Sequence, residues 1–179
     1  MNNSFKDFFN SDMHRFGGEM FAPKWNKKFS YYFRKIQTYS GQNALLNKIY
    51  NRLYYNLTRK NGIEIAPKCN IGAGFYIGHP YCITINPNAI IGDNCNIHKN
   101  VTIGQENRGN RKGAPIIGNK VWIGVNSTIV GKIKIGNDVL IAPNSFVNCD
   151  IPDHSIVIGN PCKIIYKMDA TEGYIENIN

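Results

Sequence analysis

An aliphatic side chain recurs at every sixth position through most of the last two thirds of the chain. The series comprises Ile65, Ile71, Ile77, Ile83, then, after a shift of two residues, Ile85, Ile91, Ile97, Ile103, and, after a break, Ile117, Ile123, Ile129, Ile135, Ile141 and Val147. A period of six matches neither the roughly 3.6 residues of an α-helical turn nor the alternation of a single strand. It matches a short strand and a tight turn repeated in tandem. Three such units close one three-sided coil, and stacked coils bury the aliphatic residues in one continuous core.

Glycine and asparagine fall where the corners of such coils are expected. Glycine directly follows the aliphatic residue at Gly72, Gly78, Gly92, Gly104, Gly118, Gly124 and Gly136. Both residue types tolerate positive φ angles, which β-branched residues do not. The two-residue shift near Ile83 predicts a bulge in one coil, and the polar break at residues 105–115 predicts an extruded loop.

The first third of the chain differs from the repeat in charge and in aromatic content. Residues 1–63 hold 11 basic and 3 acidic residues, together with seven of the nine phenylalanines. Turn-forming residues bound two stretches, 24–39 and 43–60, that we predict to be helices. Two interpretations of these helices remain open: a cap over the first coil, or a basic, aromatic surface that contacts a membrane or an anionic ligand. Nucleic-acid binding is disfavoured.

These patterns divide the chain into three regions. Residues 1–62 form a helical N-terminal region, and residues 63–166 form the coiled domain with its extruded loop. Residues 167–179 are a polar tail, which we expect to be poorly ordered.

The composition excludes several other classes of protein. The chain has 179 residues, of which 42% are hydrophobic. Its apolar runs are far shorter than the roughly 20 residues needed to span a bilayer, and the N-terminus lacks the apolar core of a signal peptide. The five cysteines form no CxxC pair, and the four histidines lack the spacing of a metal site. We expect a cytoplasmic protein with reduced thiols and no metal, whose basic helices would meet the inner face of the membrane if they touch lipid.

Four segments of the repeat carry a resemblance to a known family: Gly74–His79, Asn100–Gly104, Ile123–Ser127 and Ile158–Lys163. Residues 62–165 resemble the hexapeptide-repeat acyltransferase superfamily. The nearest likeness within it is to serine acetyltransferases and to the O-acetyltransferases of capsule, exopolysaccharide and lipopolysaccharide clusters. The resemblance implies a mainly β, left-handed parallel β-helix, a homotrimer with active sites between subunits, and acetyl-CoA as co-substrate. The handedness comes from the resemblance alone, because ordinary parallel crossovers are right-handed.

Acetyl transfer from a thioester to a hydroxyl needs a base, an oxyanion site and a groove that holds the acyl donor. His79 follows an Ile-Gly pair at a coil corner and matches the family's catalytic histidine. Imidazole accepts a proton near neutral pH, which suits a general base. Glu64 lies fifteen residues earlier and matches an acidic residue of the family, which implies that it orients the imidazole. The structural alternatives are a surface histidine and an exposed glutamate.

The resemblance implies further site residues around the loop and along the coils. Backbone donors of Gly104 and Gln105 are expected at the oxyanion site. Arg108 and Arg111 of the loop are candidates to contact an anionic part of a substrate, with a solvated loop as the alternative. Lys163 is expected near the nucleotide end of acetyl-CoA. Small residues at one corner, which ordinary packing would also favour, are expected to line the pantetheine arm: Gly124, Val125, Ala142 and Pro143.

Two departures from the serine acetyltransferases bear on the acceptor. Those enzymes usually have Asp before the base, where this chain has Gly78, and Arg-His before a proline, where it has Gly113 and Ala114. On this basis we predict that the acceptor is a sugar hydroxyl of a surface polysaccharide precursor. Asp12, in a segment that resembles the glycan-cluster enzymes, is a candidate substrate-binding residue. The alternatives are serine O-acetylation for cysteine biosynthesis and a non-catalytic β-helix scaffold.

Overall fold

The computed structural model describes residues 5–178 and shows three helices followed by fifteen short strands. The helices are α1 (Phe5–His14), α2 (Lys24–Tyr39) and α3 (Ala44–Arg59). The strands are β1 (Glu64–Ile65), β2 (Asn70–Ile71), β3 (Tyr76–Gly78), β4 (Thr84–Ile85), β5 (Ile90–Ile91), β6 (Asn96–His98), β7 (Thr102–Gly104), β8 (Ile116–Ile117), β9 (Val121–Ile123), β10 (Thr128–Val130), β11 (Lys134–Ile135), β12 (Val139–Ile141), β13 (Phe146–Val147), β14 (Ser155–Ile158) and β15 (Lys163–Tyr166). The two predicted helices are confirmed, whereas the sequence patterns did not predict α1.

Three sheets, parallel apart from β15, form the three faces of the coil. Sheet A has the strand order β1-β4-β7-β10-β13, sheet B has β11-β8-β5-β2 and sheet C has β15-β14-β12-β9-β6-β3. In the register of sheet A, Ile65 pairs with Ile85 and Ile85 with Ile103, and the other two sheets stack their isoleucines in the same way. All fourteen aliphatic residues of the predicted series are buried. The predicted left-handed parallel β-helix with a helical N-terminal extension is confirmed.

Backbone hydrogen bonds join each coil to the next one along the chain. In sheet B the Gly72 N–H donates to the Ile91 carbonyl (2.9 Å), and the Gly92 N–H donates to the Ile117 carbonyl (2.9 Å). A Cβ atom at Gly92 would lie 2.6 Å from the Gly118 carbonyl oxygen, so this stacking requires glycine. At these positions each N–H donates to the coil after it, so the equivalent carbonyls of the first coil face away from the second coil and need donors from elsewhere.

Side chains of the N-terminal helices supply those donors. Tyr54 of α3 donates to the last carbonyl of β1 (2.7 Å). Arg34 of α2 donates to the last carbonyl of β2 (2.8 Å), and Asn26 of α2 donates to the central carbonyl of β3 (2.7 Å). The helices therefore cap the first coil, which is the first of the two interpretations left open. Within residues 5–178, no helix combines the length and the apolar character that a membrane crossing requires.

The C-terminal tail is ordered, contrary to the expectation from its polar sequence. The tail follows β15, and its residues Ala170, Thr171 and Ile175 are buried. Asp138 holds the tail, because its carboxylate accepts hydrogen bonds from Thr171 Oγ1 (2.6 Å) and from the Ala170 N–H (2.9 Å). Burial alone would raise the pKa of Asp138, but hydrogen bonds from Thr171 and His154 outweigh burial and lower that pKa to about 2.

Candidate active site

His79 lies at the corner where the first coil leaves sheet C, at the two-residue shift in the repeat. Later coils have one non-glycine residue with positive φ at this corner: Asn100, Asn126 and Asn144. The first coil has two, His79 (φ 55°) and Cys82 (φ 53°). The two-residue shift therefore gives this corner one more residue with positive φ than the later coils have. His79 is exposed at this corner. Corner residues of the later coils share this conformation, so what distinguishes His79 is its exposed imidazole.

An open cavity of about 530 Å³ lies beside His79, where the first two coils meet the N-terminal segment. The aromatic and imidazole side chains that line it besides His79 are Phe16, Trp25, Tyr76, Tyr81 and His98. Phe16 stacks on Tyr76 with ring centroids 4.6 Å apart, so the N-terminal segment forms part of the wall. The His79 imidazole makes no hydrogen bond to any residue that the structure describes, so it is available to a hydroxyl in this cavity.

Glu64 lies on a different face of the same coil. It begins sheet A, is exposed, and lines a second cavity of about 490 Å³ together with Arg59, Thr84 and Gly104. Among residues 5–178, no hydrogen bond joins Glu64 to His79. The structure thus brings Glu64 and Gly104 together but does not pair Glu64 with the imidazole in the isolated chain. The orienting role of Glu64 stays a prediction.

The loop 105–115 is closed at its base by backbone hydrogen bonds between Glu106 and Gly113 (3.0 and 2.9 Å). Gln105 donates from its side chain to Asn107 (2.7 Å), and Arg111 forms an exposed ion pair with Glu106 at 3.0 Å. Arg108 is exposed and forms no ion pair within the described part of the chain. The loop therefore offers accessible cations, and nothing in the structure assigns them a ligand.

The four small residues predicted to line the pantetheine arm lie together at one corner of two successive coils. The Asn144 N–H donates to the Val125 carbonyl (3.0 Å), which joins these coils. A Cβ atom at Gly124 would lie 2.6 Å from the Pro143 nitrogen, so close stacking by itself accounts for glycine at this position. Lys163 is exposed on β15 opposite Ile158. The cofactor roles of these residues stay predictions.

The prediction that Asp12 binds substrate requires correction. Asp12 is only 2% exposed, and its carboxylate accepts hydrogen bonds from Ser30 (2.6 Å), from both Nε and Nη2 of Arg34 (3.0 Å each) and from the Phe75 N–H (2.9 Å). The buried ion pair with Arg34 joins α1 to α2 and to the first coil. Both oxygens of Asp12 are occupied, so the residue is structural and does not reach a substrate.

His98 is a cavity residue that the sequence patterns do not single out as a site residue. The register of sheet C pairs Gly78 with His98, so the imidazole of the second coil lies next to the corner that carries His79. Alignment of Ile77 with Ile97, which takes the two-residue shift into account, would have predicted from the sequence that His98 lies next to Gly78. Within residues 5–178, no three His, Cys, Asp or Glu side chains are grouped as a metal site requires.

Comparison with known proteins identifies the family. The family model described as "Bacterial transferase hexapeptide (six repeats)" matches residues 114–149. The serine acetyltransferase of Synechococcus elongatus is 36% identical over 117 residues, which are 65% of this chain and 48% of that enzyme. The chain thus spans about half the length of that relative. The serine acetyltransferase of Helicobacter pylori is 33% identical over 142 residues, which are 72% of this chain and 83% of that enzyme.

Solved structures share the fold. Soybean serine acetyltransferase complexed with serine matches with a TM-score of 0.74 and 22% identity, over 90% of this chain and 70% of the other. A serine acetyltransferase in complex with CoA matches with a TM-score of 0.73 and 22% identity, over 92% of this chain and 70% of the other.

These relatives overturn the prediction of a sugar acceptor in polysaccharide biosynthesis, which is wrong. That prediction depended on Gly113 and Ala114 in place of Arg-His and on the absence of an acidic side chain at Gly78. The structure gives a local reason for glycine there, since a Cβ atom would lie 2.6 Å from the His98 ring. With 33% identity over 83% of the Helicobacter pylori enzyme, the chain belongs to the serine acetyltransferase family of hexapeptide-repeat acyltransferases.

Proposed function

We propose that this protein transfers the acetyl group of acetyl-CoA to the hydroxyl of serine, with His79 as general base. The observation that carries the proposal is that the exposed imidazole of His79 lines a cavity together with aromatic side chains. The chain that carries it belongs to the serine acetyltransferase family. The named relatives support serine as acceptor, and the relative in complex with CoA supports acetyl-CoA as donor.

In the proposed reaction, the unprotonated nitrogen of His79 removes the proton of the serine hydroxyl as the oxygen attacks the thioester carbonyl. A tetrahedral oxyanion forms and collapses, and the carbon–sulfur bond breaks. The imidazolium returns its proton to the CoA thiolate, so the products are O-acetylserine and CoA. Backbone donors near Gly104 and Gln105 are the proposed oxyanion site.

We propose that Glu64 orients His79 once the substrates are bound. The two residues belong to adjoining corners, because Asn61 holds the start of β1 against the turn after β3. Its side chain donates to the Pro80 carbonyl (2.7 Å), and its own carbonyl accepts from the Cys82 N–H (2.8 Å). Because Glu64 is exposed, its side chain can change rotamer. A carboxylate beside imidazole stabilises the imidazolium form.

A homotrimer is proposed because two faces of the coil lack a cover in the described chain. The N-terminal segment and the tail lie over sheet C, where Arg15 donates to both Asn96 (2.8 Å) and the Glu176 carbonyl (2.9 Å). Sheet B presents two exposed isoleucines, Ile90 and Ile116, that are neighbours in the register. Exposed apolar side chains in a row favour contact with another subunit.

The acyl donor is proposed to lie between two subunits along the corner that carries Gly124, Val125, Ala142 and Pro143. Lys163, Arg108 and Arg111 are the proposed partners for the phosphates of CoA or for an anionic group of the acceptor. A cytoplasmic location stays a prediction.

The test is turnover of acetyl-CoA with L-serine by the purified protein. Loss of thioester absorbance is the suitable readout, because the exposed thiols of Cys82 and Cys149 would react with a thiol reagent. His79→Ala should reduce kcat by about 10²- to 10⁴-fold, the usual contribution of a general base. His14→Ala, a change of an exposed histidine on α1, is the matched control and should leave the rate unchanged. Lack of turnover with serine by the wild-type protein, or full activity of His79→Ala, would overturn the proposal.

A further inference from the structure

His98 occupies the space in which a side chain at position 78 would project. A Cβ atom built on Gly78 would lie 2.6 Å from Cδ2 and 2.7 Å from Nε2 of His98. The glycine before the base therefore leaves room for an imidazole that comes from the next coil. Nε2 of His98 lies directly above the residue that precedes His79.

The hydrogen bonding of His98 indicates which of its two ring nitrogens can accept a further hydrogen bond. Nδ1 lies 3.0 Å from the Ile123 carbonyl oxygen, which can only accept, so Nδ1 carries the proton. Burial lowers the pKa of His98, against the opposing effect of the Ile123 carbonyl, and the neutral form is favoured near neutral pH. Nε2 then holds a lone pair, and it has no hydrogen-bond partner among residues 5–178.

The surrounding cavity offers neutral acceptors and aromatic faces that a cationic donor can use. No Asp or Glu is among its described lining residues. Asn26, only 6% exposed, provides a second acceptor. Its Nδ2 donates to the Ile77 carbonyl (2.7 Å), and its Oδ1 has no partner in the described chain. Trp25 and Tyr76 are among the aromatic residues that line the same cavity.

We propose that Nε2 of His98 accepts a hydrogen bond from the α-ammonium group of the acceptor serine and so selects amino-bearing acceptors. The inference rests on the proposed function, because the ammonium group belongs to the serine whose hydroxyl reaches His79. His98 is then a specificity-determining residue that contacts the acceptor, and the proton transfer remains with His79.

The test compares two acceptors that differ only in the amino group, L-serine and 3-hydroxypropionate. In the wild-type protein kcat/KM should favour serine. His98→Leu should lower the ratio of the two kcat/KM values by about 10- to 100-fold, the effect expected from a hydrogen bond to a charged group. The KM for acetyl-CoA should not change. His98→Gln, whose amide oxygen can take the place of Nε2, should keep most of the discrimination.

His14→Leu is the matched control, because His14 is exposed on α1 and lines no part of the cavity. If His98→Leu does not fold, His98→Asn carries the same expectation, since its shorter side chain withdraws the acceptor. A folded His98→Leu or His98→Asn protein with an unchanged ratio would overturn the inference and leave serine acetylation intact. Lack of serine turnover by the wild-type protein would overturn both.

Discussion

Equivalent backbone carbonyls receive their hydrogen bonds from different donors in the first coil and in the rest of the β-helix, which we call the body. In the body the donors are backbone N–H groups of the preceding coil, such as that of Gly72 to Ile91 (2.9 Å). In the first coil the donors are three side chains of the N-terminal helices, Tyr54, Arg34 and Asn26. The hydrogen bonds between coils of the body are made by backbone groups, so they depend little on the identity of the side chains. Those of the cap depend on individual side chains.

This difference also separates the parts of the candidate site. The corner residues assigned to acetyl-CoA belong to the body and repeat from coil to coil. The cavity of His79 lies at the junction with the cap, because Asn26 holds β3, and Trp25 beside it forms a wall of the cavity. We infer that donor binding is a property of the repeat, and that acceptor binding is a property of the cap. Changes that disturb the cap should therefore affect stability and acceptor use together.

The largest effect should follow loss of the buried ion pair in the cap. Asp12→Ala leaves Arg34 charged and 2% exposed without its partner, which should reduce the free energy of unfolding by about 3–5 kcal/mol. Urea unfolding followed by circular dichroism measures the change.

Arg111→Ala is the control for this prediction. It breaks the ion pair with Glu106 in the loop, whose side chains are 47% and 33% exposed, and it should cost no more than about 1 kcal/mol. Equal costs for Asp12→Ala and Arg111→Ala would contradict the dependence of the cap on this buried pair.

A smaller effect should follow removal of one capping hydroxyl. Tyr54 is fully buried, and Tyr54→Phe keeps the ring but leaves the Ile65 carbonyl without its donor. The free energy of unfolding should fall by about 1–3 kcal/mol. Tyr55→Phe, on the neighbouring exposed residue, is the matched control and should stay within about 0.5 kcal/mol of wild type. If both variants unfold at the same urea concentration, the cap carbonyl does not need Tyr54.

The repeat was predictable because every coil places aliphatic residues at the same six-residue spacing in the sequence. Fourteen aliphatic positions gave the core, and the two-residue shift marked the corner that carries His79. Contacts between residues that are far apart in the sequence produce no such periodic pattern. Helix α1 depends on the contact of Asp12 with Arg34, twenty-two residues away, and Asp12 therefore looked like a free acidic residue.

The acceptor was mispredicted for a related reason. The sequence shows that Gly78 lacks a side chain, but only the register shows that His98 fills the space above it. Absence of the family's residues, at Gly113 and Ala114 as well as at Gly78, was taken as absence of their function. A neighbouring coil can supply a polar group to the same point, and stacking decides which residue does so.

The smallest effect should appear at the opposite end of the coil, where Asp138 holds the tail. Its pKa is about 2 in the folded chain against 3.8 for an ordinary aspartate, so its contribution to stability is present above about pH 4. That contribution is lost as the pH falls toward 2, because the carboxylate is then protonated and the bonds from Thr171 weaken. His154 at 2.9 Å and Lys120 at 3.9 Å face the same carboxylate. Amide hydrogen exchange at Ala170 and Thr171 should therefore accelerate as the pH falls from 4 to 2, beyond the intrinsic pH dependence of exchange, and Asp138→Asn should remove this extra acceleration. If exchange at these amides keeps its extra pH dependence in the Asn variant, another group holds the tail, and the C-terminal end does not depend on the side chain of Asp138.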